Sequence, residues 1–588
     1  MGTGEQARDA QGTVRWLWGY LRRQRLGLSG VFVLVAASTA FDSLGPYLMG
    51  RAIDKYILER DLPGLAYQVL LMVGVYVGAA TTTWLQSYFM AAVAQRTVRD
   101  IRNDLFGKLD TLSLRFFDQR SHGELMSRLT NDVENVSTVL TESVTQFFSS
   151  ILMLLSVAAI VLWLNWRLAL VSLVTIPLMA VLTTYVARRT RRGYRRQQRA
   201  LGELNGFIEE TISGVRVVKA YGQEAAAIEA FESANLALRH ASTRAQTFTQ
   251  VLGPLSNMVN NIGYAIVAAA GGWMAVQGLV TVGVIASFVD YARRLTRPVD
   301  QIANLYNSIQ SAVAGAERAL ELLNEVPEMA DAETAPALSA IVGKVMFDDV
   351  SFGYEEGVPV LRNVSFQAEP GQTVALVGPT GAGKTTIVNL LTRFYDIDDG
   401  RITIDGQDIR TVRKESLRRQ LGIVLQDTFL FSGTVLDSIR YGRLDATDEE
   451  VEAAARLANA DFFIRRLPQG YQTAVAERGS NLSQGQRQLL AIARTILADP
   501  RILVLDEATS SVDTRTETHI QGALLQLMKG RTSFVIAHRL STIREADEIL
   551  VIDAGRIVER GTHSQLLAKR GFYHGLYMSQ FRGEAAAA

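Results

Sequence analysis

Long apolar runs dominate roughly the first 300 residues of the chain. A membrane-spanning helix needs about 20 predominantly apolar residues, and four runs meet this requirement, near residues 28–50, 65–94, 144–164 and 168–187. A fifth run lies at 250–278 and a sixth follows Gly278, although Asp290, Arg293 and Arg294 interrupt the sixth. The pattern predicts six spanning helices.

Positive charge is distributed unevenly between these runs. Arginines cluster on one set of segments: Arg22, Arg23 and Arg25 before the first run, Arg96, Arg99 and Arg102 after the second, and Arg188, Arg189, Arg191, Arg192, Arg195, Arg196 and Arg199 after the fourth. The joins after the third and fifth runs have almost no charge. The positive-inside rule therefore predicts a multi-pass protein of the cytoplasmic membrane with both termini in the cytoplasm. The polar N-terminal residues lack the apolar core of a signal peptide, so insertion is expected to use the first spanning helix.

The two arginine-rich excursions are long and keep a helical period with few breaks. They contain FFDQRSHGEL at Phe116 to Leu125 and TISGVRVVKAYGQE at Thr211 to Glu224. From the residues alone, these segments are interpreted as cytosolic turns between antiparallel helices.

The pattern changes after Asn324, where the chain becomes polar and contains prolines. Short β-branched runs such as VMFDDVSFGY and QTVALVG then alternate with helical stretches, which is typical of an α/β domain. We expect an all-α transmembrane domain at 1–325, a linker at 326–343, an α/β P-loop domain at 344–582 and a tail at 583–588.

The composition agrees with this division. The 588 residues are 48% hydrophobic and 20% charged, which fits a chain that is half membrane and half soluble. A net charge of +1 gives no general attraction to nucleic acid. Cysteine is absent, which excludes disulfides and thiolate metal sites.

A phosphate-binding loop follows the predicted strand QTVALV. The motif GPTGAGKTT comprises Gly378, Pro379, Thr380, Gly381, Ala382, Gly383, Lys384, Thr385 and Thr386. Its glycines permit tight curvature, so that successive N–H groups face phosphates at a helix N-terminus. Lys384 supplies a point charge, and the hydroxyl of Thr385 is a ligand for Mg²⁺. The motif predicts ATP binding.

Other chemical groups follow predicted strands. The apolar run that begins at Ile502 ends at Asp506 and Glu507. Successive side chains of a strand point to opposite faces, so the two carboxylates are expected to have different roles. We expect Asp506 to hold the metal and Glu507 to polarise the attacking water. His538 also follows a β-branched strand, and its side chain is expected to reach the γ-phosphate. Tyr354 offers an aromatic face to adenine, and Gln426 offers an amide to the metal or to water.

The sequence LSQGQ, followed by RQLLAIARTIL, carries a family resemblance. It comprises Leu482, Ser483, Gln484, Gly485 and Gln486. From about Trp16 to Gln580 the chain resembles a half-transporter of the ATP-binding cassette (ABC) exporter family. The resemblance implies ATP-driven export by alternating access, with two cassettes closing head to tail so that each LSQGQ motif touches the partner chain's ATP.

The resemblance also assigns roles to further residues. It implies catalysis by Glu507 and His538, and it places Asp513 in a loop that crosses between the two ATP sites. Residues near 113–125 and 211–224 resemble the two coupling helices of the family. Glu477 matches the acidic position of the cassette segment that meets them.

Gln484 stands where the family usually has glycine. In heterodimeric exporters a chain with an intact catalytic glutamate often carries such a change. The resemblance therefore favours a second, different half-transporter as partner, and the alternative is a homodimeric exporter or lipid flippase. The transported molecule, which could be a small molecule, a lipid or a peptide, is not identified by these residues.

Two other classes of function were weighed. A soluble cassette ATPase, such as one acting in DNA repair, is excluded by the apolar runs. An ATP-gated channel or regulator is disfavoured by the intact Glu507 and His538. Polar residues also lie inside the apolar runs, namely Asp42, Gln250, Asn257, Asn260, Asn261 and Asp290. They could line a wet cavity or join helices to one another, and none is assigned to substrate binding.

Overall fold

The computed structural model describes residues 9–580 except for a few short gaps. The gaps are Val174, Met329, Ala330, Glu333, Ser339, Glu356, Gln426, Asp427, 507–513 and 537–539. By its internal contacts the chain forms two units. Unit 1 is Met1–Asp110 with Ser121–Glu325, and unit 2 is Thr111–Arg120 with Val326–Ala588.

Unit 1 is helical. Its helices are α1 (Ala10–Arg23), α2 (Arg25–Ala52), α3 (Leu62–Leu109), α5 (His122–Ser127), α6 (Val133–Thr138), α7 (Val144–Leu173), α8 (Thr175–Ser213), α9 (Val215–Ala220), α10 (Glu224–Gln250), α11 (Leu252–Val276) and α12 (Val282–Asn324), with α4 (Leu114–Asp118) belonging to unit 2. Short π-helical segments lie at Ile53–Ile57, Arg128–Asp132 and Val139–Ser143. Among the described residues, four helical stretches are long and apolar enough to cross a membrane: Arg25–Ile57, Leu62–Leu109, His122–Ser172 and Gly253–Val276.

The third and fourth apolar runs are separated at Asn165, the first residue of the short join NWR between them. Asn165 has non-helical dihedral angles within α7, with φ −164° and ψ 107°. Its side-chain oxygen accepts hydrogen bonds from the backbone N–H groups of Arg167 and Leu168, both at 3.1 Å. Asn165 therefore ends one helical segment and caps the next.

A seam of polar side chains joins α2 to α12. Pro46 lies inside α2 and has no N–H, so the carbonyl of Asp42 loses its helical donor. Arg294 of α12 donates to that carbonyl at 3.0 Å. One and two turns away on α12, Tyr291 donates to the carbonyl of Ser43 at 2.7 Å, and Ser287 donates to that of Pro46 at 2.9 Å. The proline in α2 is thus compensated by its neighbour helix.

Unit 2 contains the strands. They are β1 (Val345–Phe352), β2 (Leu361–Ala368), β3 (Thr373–Val377), β4 (Asp399–Ile404), β5 (Gln407–Asp408), β6 (Leu421–Val424), β7 (Gly433–Thr434), β8 (Ala474–Val475), β9 (Ile502–Asp506), β10 (Thr532–Ile536), β11 (Glu548–Asp553) and β12 (Arg556–Gly561). Its helices after α4 are α13 (Lys384–Leu391), α14 (Lys414–Arg419), α15 (Val435–Arg440), α16 (Asp448–Leu457), α17 (Asp461–Ile464), α18 (Gln484–Ala498), α19 (Thr514–Met528), α20 (Leu540–Glu545), α21 (His563–Lys569) and α22 (Phe572–Gln580).

Two large sheets build this unit, and β7 pairs with β8 in a third, two-stranded antiparallel sheet. The larger has the order β12-β11-β3-β10-β9-β6, and all its pairings except β11 with β12 are parallel. The smaller is antiparallel, with the order β2-β1-β4-β5. Both sheets contribute to one apolar core, in which Phe347 stacks on Phe366 at 4.5 Å and Phe366 meets Phe534 edge-on. The predicted fold class, a polytopic helical domain followed by an α/β domain, is confirmed.

The first coupling segment, defined here as residues 111–120, packs within unit 2. The sequence-based boundaries place it in the transmembrane domain, and the contacts place it with the cassette. Phe116 of this segment is buried, and the N–H of Glu328 donates to the carbonyl of Thr111 at 2.7 Å. Leu112 forms an antiparallel bridge with Pro327.

Candidate nucleotide-binding site

Four strands of the larger sheet end side by side where the predicted site residues begin. Ile536 of β10 is in register with Leu376 of β3 on one side and with Asp506 of β9 on the other. Val424 of β6 pairs with Leu505. Because carboxyl ends of parallel strands meet at one edge, this edge is where an α/β fold binds its ligand.

The phosphate loop lies at this edge between β3 and α13. Gly383 has φ +107°, which is a left-handed conformation that a residue with a side chain rarely adopts. A Cβ at Gly378 would lie 2.1 Å from the carbonyl oxygen of Ile552. The loop therefore requires glycine at both positions, and it leads directly into the N-terminus of α13.

Lys384 points back into the loop. It is buried, and its ammonium group donates to the carbonyls of Gly378 at 2.8 Å and Pro379 at 2.9 Å. Burial lowers the pKa of Lys384, and the negative charge of Asp506 opposes this effect. The lysine is thus held by the same loop whose N–H groups are expected to bind phosphate.

Tyr354 lies beside the loop, half-buried. Its hydroxyl donates to Thr386 at 3.3 Å and accepts from Asn389 at 3.1 Å. Its ring packs edge-on against Tyr395, with centroids 5.0 Å apart, and against Phe352 at the same distance. The structure therefore brings the residue predicted to contact adenine to the first turns of α13.

The first coupling segment reaches this tyrosine. A guanidinium N–H of Arg115 donates to the main-chain carbonyl of Tyr354. Tyr395 donates to the carboxylate of Asp118, and burial together with this bond raises the pKa of Tyr395. Sequence reasoning did not identify Arg115, Asp118 or Tyr395 as neighbours of the site, because no motif connects positions so far apart in the chain.

Oxygen donors for a metal are present at this edge. Thr385 is exposed at the start of α13, and Asp506 is half-buried at the end of β9. Within the part of the chain that the structure describes, no group of three or more His, Cys, Asp or Glu forms a metal cluster. Mg²⁺ usually takes one or two protein oxygens and completes its shell with phosphates and water. The donor set therefore fits Mg²⁺.

The signature motif forms the start of α18. Ser483 is the N-cap: its side chain accepts from the N–H of Gln486 at 3.3 Å, and the Gln486 side chain accepts from the N–H of Ser483 at 2.9 Å. Leu482 and Gly485 are buried. Gln484 is the first residue of the helix and does not have positive φ. The backbone at this position therefore does not require glycine.

Four predicted site residues lie outside the described residues, namely Gln426, Glu507, Asp513 and His538. The strands that precede three of them are described: β6 ends two residues before Gln426, β9 ends directly before Glu507, and β10 ends two residues before His538. These three strands are neighbours in the sheet, and all of them end at the edge that holds the phosphate loop.

A phosphate loop at the carboxyl edge of a mostly parallel sheet, fused to long apolar helices, defines a membrane-bound P-loop ATPase. The ABC transporter transmembrane region matches residues 28–299, and the ABC transporter domain matches residues 361–510. The chain belongs to the ABC transporter family. It is an ATP-binding exporter chain, whose ATP hydrolysis is coupled to transport across a membrane.

Relatives cover nearly the whole chain. The ABC transporter ATP-binding protein YfiC of Bacillus subtilis is 46% identical over 98% of this chain and 95% of its own length. A fatty acid ABC transporter ATP-binding/permease protein of Mycobacterium bovis is 45% identical over 89% of this chain and 82% of its own. An ATP-dependent lipid A-core flippase of Syntrophus aciditrophicus is 39% identical over 95% and 92%.

A solved structure has the same overall fold. It is that of a bacterial Atm1-family ABC exporter with ATP bound, with a TM-score of 0.75 and 34% identity. The match covers 95% of this chain and 98% of that one. The predicted family is therefore confirmed by both sequence and structure.

Proposed function

We propose that this chain is one subunit of a dimeric exporter that moves an amphipathic, lipid-like molecule across the cytoplasmic membrane by alternating access. The observation that carries the proposal is the first coupling segment, which connects α3 to α5. In unit 2 this segment contacts Tyr354 and Tyr395 beside the phosphate loop. Hydrogen bonds thus connect the nucleotide site to a segment that is continuous in sequence with α3 and α5 of the membrane unit.

The nucleotide-site residues act in distinct ways. The N–H groups of residues 378–386 and the ammonium of Lys384 bind the β- and γ-phosphates of ATP. Thr385, Gln426 and Asp506 hold Mg²⁺, which supplies charge neutralisation for the transferred phosphoryl group. Glu507 polarises the attacking water, and His538 contacts the γ-phosphate. Tyr354 contacts the adenine.

The signature residues act on the partner chain's ATP. Ser483 and the N–H groups at the start of α18 form a helix N-terminus, which is suited to bind a γ-phosphate. Asp513 lies in the loop that crosses between the two sites. Both termini and the cassette, residues 344–582, are in the cytoplasm because the arginine-rich segments are there.

The nature of the dimer depends on Gln484. In the heterodimer hypothesis Gln484 weakens one site, while Glu507 serves the competent site. The helical backbone of Gln484 supports the homodimer alternative, because the N–H groups of the helix start are kept whatever side chain is present. Both forms use the same ATP chemistry, so the hypothesis concerns only which chain supplies the second signature.

The lipid-like nature of the substrate rests on the relatives. The names of two of them specify a fatty acid and lipid A-core. A homodimeric exporter or lipid flippase is the alternative to the heterodimer, and a small molecule or a peptide is the alternative to a lipid as the transported molecule. The cavity described below adds a physical argument for a substrate with a charged head group.

The testing experiment measures ATP hydrolysis and transport together. The wild-type chain and its Glu507→Gln variant are each purified alone. Mg²⁺-ATPase activity is measured in lipid nanodiscs, and ATP-dependent movement of a fluorescent lipid is measured in proteoliposomes. We expect activity in the wild type and its loss in the variant, with ATP binding retained. Folded protein without ATPase activity would require a different partner chain, and full activity in Glu507→Gln would contradict the role of Glu507. ATP hydrolysis without movement of any lipid probe would contradict lipid export.

A further inference from the structure

A polar cavity of about 460 Å³ lies within the membrane unit. It is lined by residues of three helices that are far apart in sequence: Asp42 of α2, Ser149 and Ser150 of α7, and Asp290, Arg293 and Arg294 of α12. Asp290 lies about two turns into α12, roughly 12 Å along the helix axis, whereas the hydrocarbon core is about 30 Å thick. Asp42 lies near the middle of Arg25–Ile57, a stretch long and apolar enough to cross a membrane. The cavity therefore places four ionisable side chains at the depth of a spanning helix.

Two of these charged groups have a structural task. Arg294 forms an ion pair with Asp290, with Nε and Oδ2 3.3 Å apart. It also donates to the carbonyl of Asp42 that Pro46 leaves without a helical donor. The charge of Arg294 and that of Asp290 are thus both compensated, and their removal would disrupt the α2–α12 seam.

Arg293 has a different environment. It is exposed to the cavity, and its guanidinium carbon lies 5.1 Å from the centroid of the Tyr264 ring. Among the described residues no carboxylate lies within ion-pair distance of it. A guanidinium stacked on an aromatic face keeps its N–H groups free at its edge, where they match a carboxylate or phosphate.

An arginine inside the membrane that forms no direct ion pair is costly and usually functional. We propose that this cavity receives the head group of an amphipathic substrate and that Arg293 binds the acid of that head group, a carboxylate or a phosphate. This inference rests on the proposed export of a lipid-like molecule, and it adds the chemistry by which the molecule is recognised.

Asp42 distinguishes two sources of such an acid. Its side chain faces the same cavity and, among the described residues, no donor bonds to its carboxylate. A zwitterionic phospholipid would present an amine to Asp42 and a phosphate to Arg293. A free fatty acid has no cation, so it would use Arg293 alone.

The experiment measures equilibrium binding to the full-length protein in detergent. The probes are radiolabelled palmitate, methyl palmitate, which lacks the acid, and a short-chain phosphatidylethanolamine labelled on its acyl chain. We expect wild-type protein to bind at least one acidic probe at least tenfold more tightly than methyl palmitate, because a charge-assisted hydrogen bond is worth more than about 1.4 kcal/mol. Arg293→Gln should lose that preference and Arg293→Lys should restore part of it.

The chain offers a matched control. Arg167 also stacks on an aromatic ring, that of Trp166 at 5.5 Å, but it does not line the cavity. Arg167→Gln should bind all probes like the wild type. Elution from size exclusion as a single symmetric peak identifies folded variants, and Arg293→Lys keeps the test valid if Arg293→Gln misfolds.

The outcomes separate the proposals. Loss of binding in Asp42→Asn for phosphatidylethanolamine but not for palmitate would support a zwitterionic phospholipid head group. The inference would be overturned if the wild type and Arg293→Gln bound the acidic probes equally. It would also be overturned if the wild type had the same affinity for palmitate, its ester and the phospholipid. Acid-dependent binding without transport in proteoliposomes would instead contradict the proposed export and leave the head-group site standing.

Discussion

The phosphate loop and the membrane cavity both hold a cation suited to an anionic ligand, but they are constructed differently. In the loop the cation is Lys384, which rests on two carbonyls of its own loop while the helix start supplies N–H groups. In the cavity the cation is Arg293, which rests on a ring from another helix. One site is made by the nine consecutive residues 378–386, whereas the other requires four helices, α2, α7, α11 and α12, to meet.

The two sites are therefore sensitive to different kinds of substitution. The phosphate loop depends on local backbone geometry, so its function is sensitive to single changes within the motif. The cavity depends on helix packing, so its affinity is sensitive to changes at the seam that never touch the ligand. Single substitutions at the two sites should therefore differ in both the kind and the size of their effects.

Lys384→Ala should have the largest effect. It removes the charge that stabilises the transferred phosphoryl group, and we expect ATP hydrolysis to fall on the order of 100-fold or more. Phosphate release by the reconstituted protein measures the loss. Lys344→Ala is the control, because Lys344 forms only an exposed pair with Glu369 at 3.1 Å and should keep full activity. Comparable activity in Lys384→Ala would show that the loop does not act through this lysine.

Arg294→Gln should destabilise the membrane unit. It breaks the pair with Asp290 and the bond to the carbonyl of Asp42, at a cost of about 1–3 kcal/mol. Thermal unfolding in detergent should show a midpoint lowered by several degrees, while Arg293→Gln, one residue away, should change binding more than stability. The reverse order of the two effects would mean that the roles of these neighbours are exchanged.

Arg115→Ala should have an intermediate effect on the nucleotide site. It removes the donor to the carbonyl of Tyr354, and a hydrogen bond of about 1 kcal/mol corresponds to a loss of ATP affinity of roughly fivefold. Tyr395→Phe, which keeps the ring against Tyr354 but loses the bond to Asp118, should lose less. Titration with a fluorescent ATP analogue measures both. If both variants bound the ATP analogue as tightly as the wild type, the coupling segment would not contribute to ATP binding through Tyr354.

Gln484→Gly should have the smallest effect. The residue is already helical, so glycine is not needed there, and glycine costs at most about 1 kcal/mol within a helix. We expect the ATPase activity of the chain alone to change less than twofold. An increase of tenfold or more would instead favour the heterodimer hypothesis, since it would show that the glutamine impairs the signature.

The sequence information that predicts a nucleotide site is local. The phosphate loop, the strand that ends at Asp506 and the helix that follows Ser483 can each be recognised from consecutive residues. The break at Asn165 coincides with the short join between the third and fourth apolar runs. These features need no knowledge of which distant segments pack together.

The remaining features depend on tertiary contacts. Asp42 and Asp290 were candidates for a wet cavity, but nothing in the sequence separates Arg293 from Arg294. That separation requires knowing that Pro46 frees a carbonyl opposite α12 and that Tyr264 lies beside Arg293. Likewise, the aromatic contact between Tyr354 and Tyr395 joins positions about 40 residues apart without a shared motif.

The seam between α2 and α12 also restricts how the membrane unit can move. Ser287, Tyr291 and Arg294 donate to three carbonyls of α2, and sliding one helix past the other would break all three hydrogen bonds, which water cannot replace in hydrocarbon. During alternating access the first and last long helices of the membrane unit should therefore travel as one rigid pair. Any opening of the transport pathway must then occur along another helix boundary.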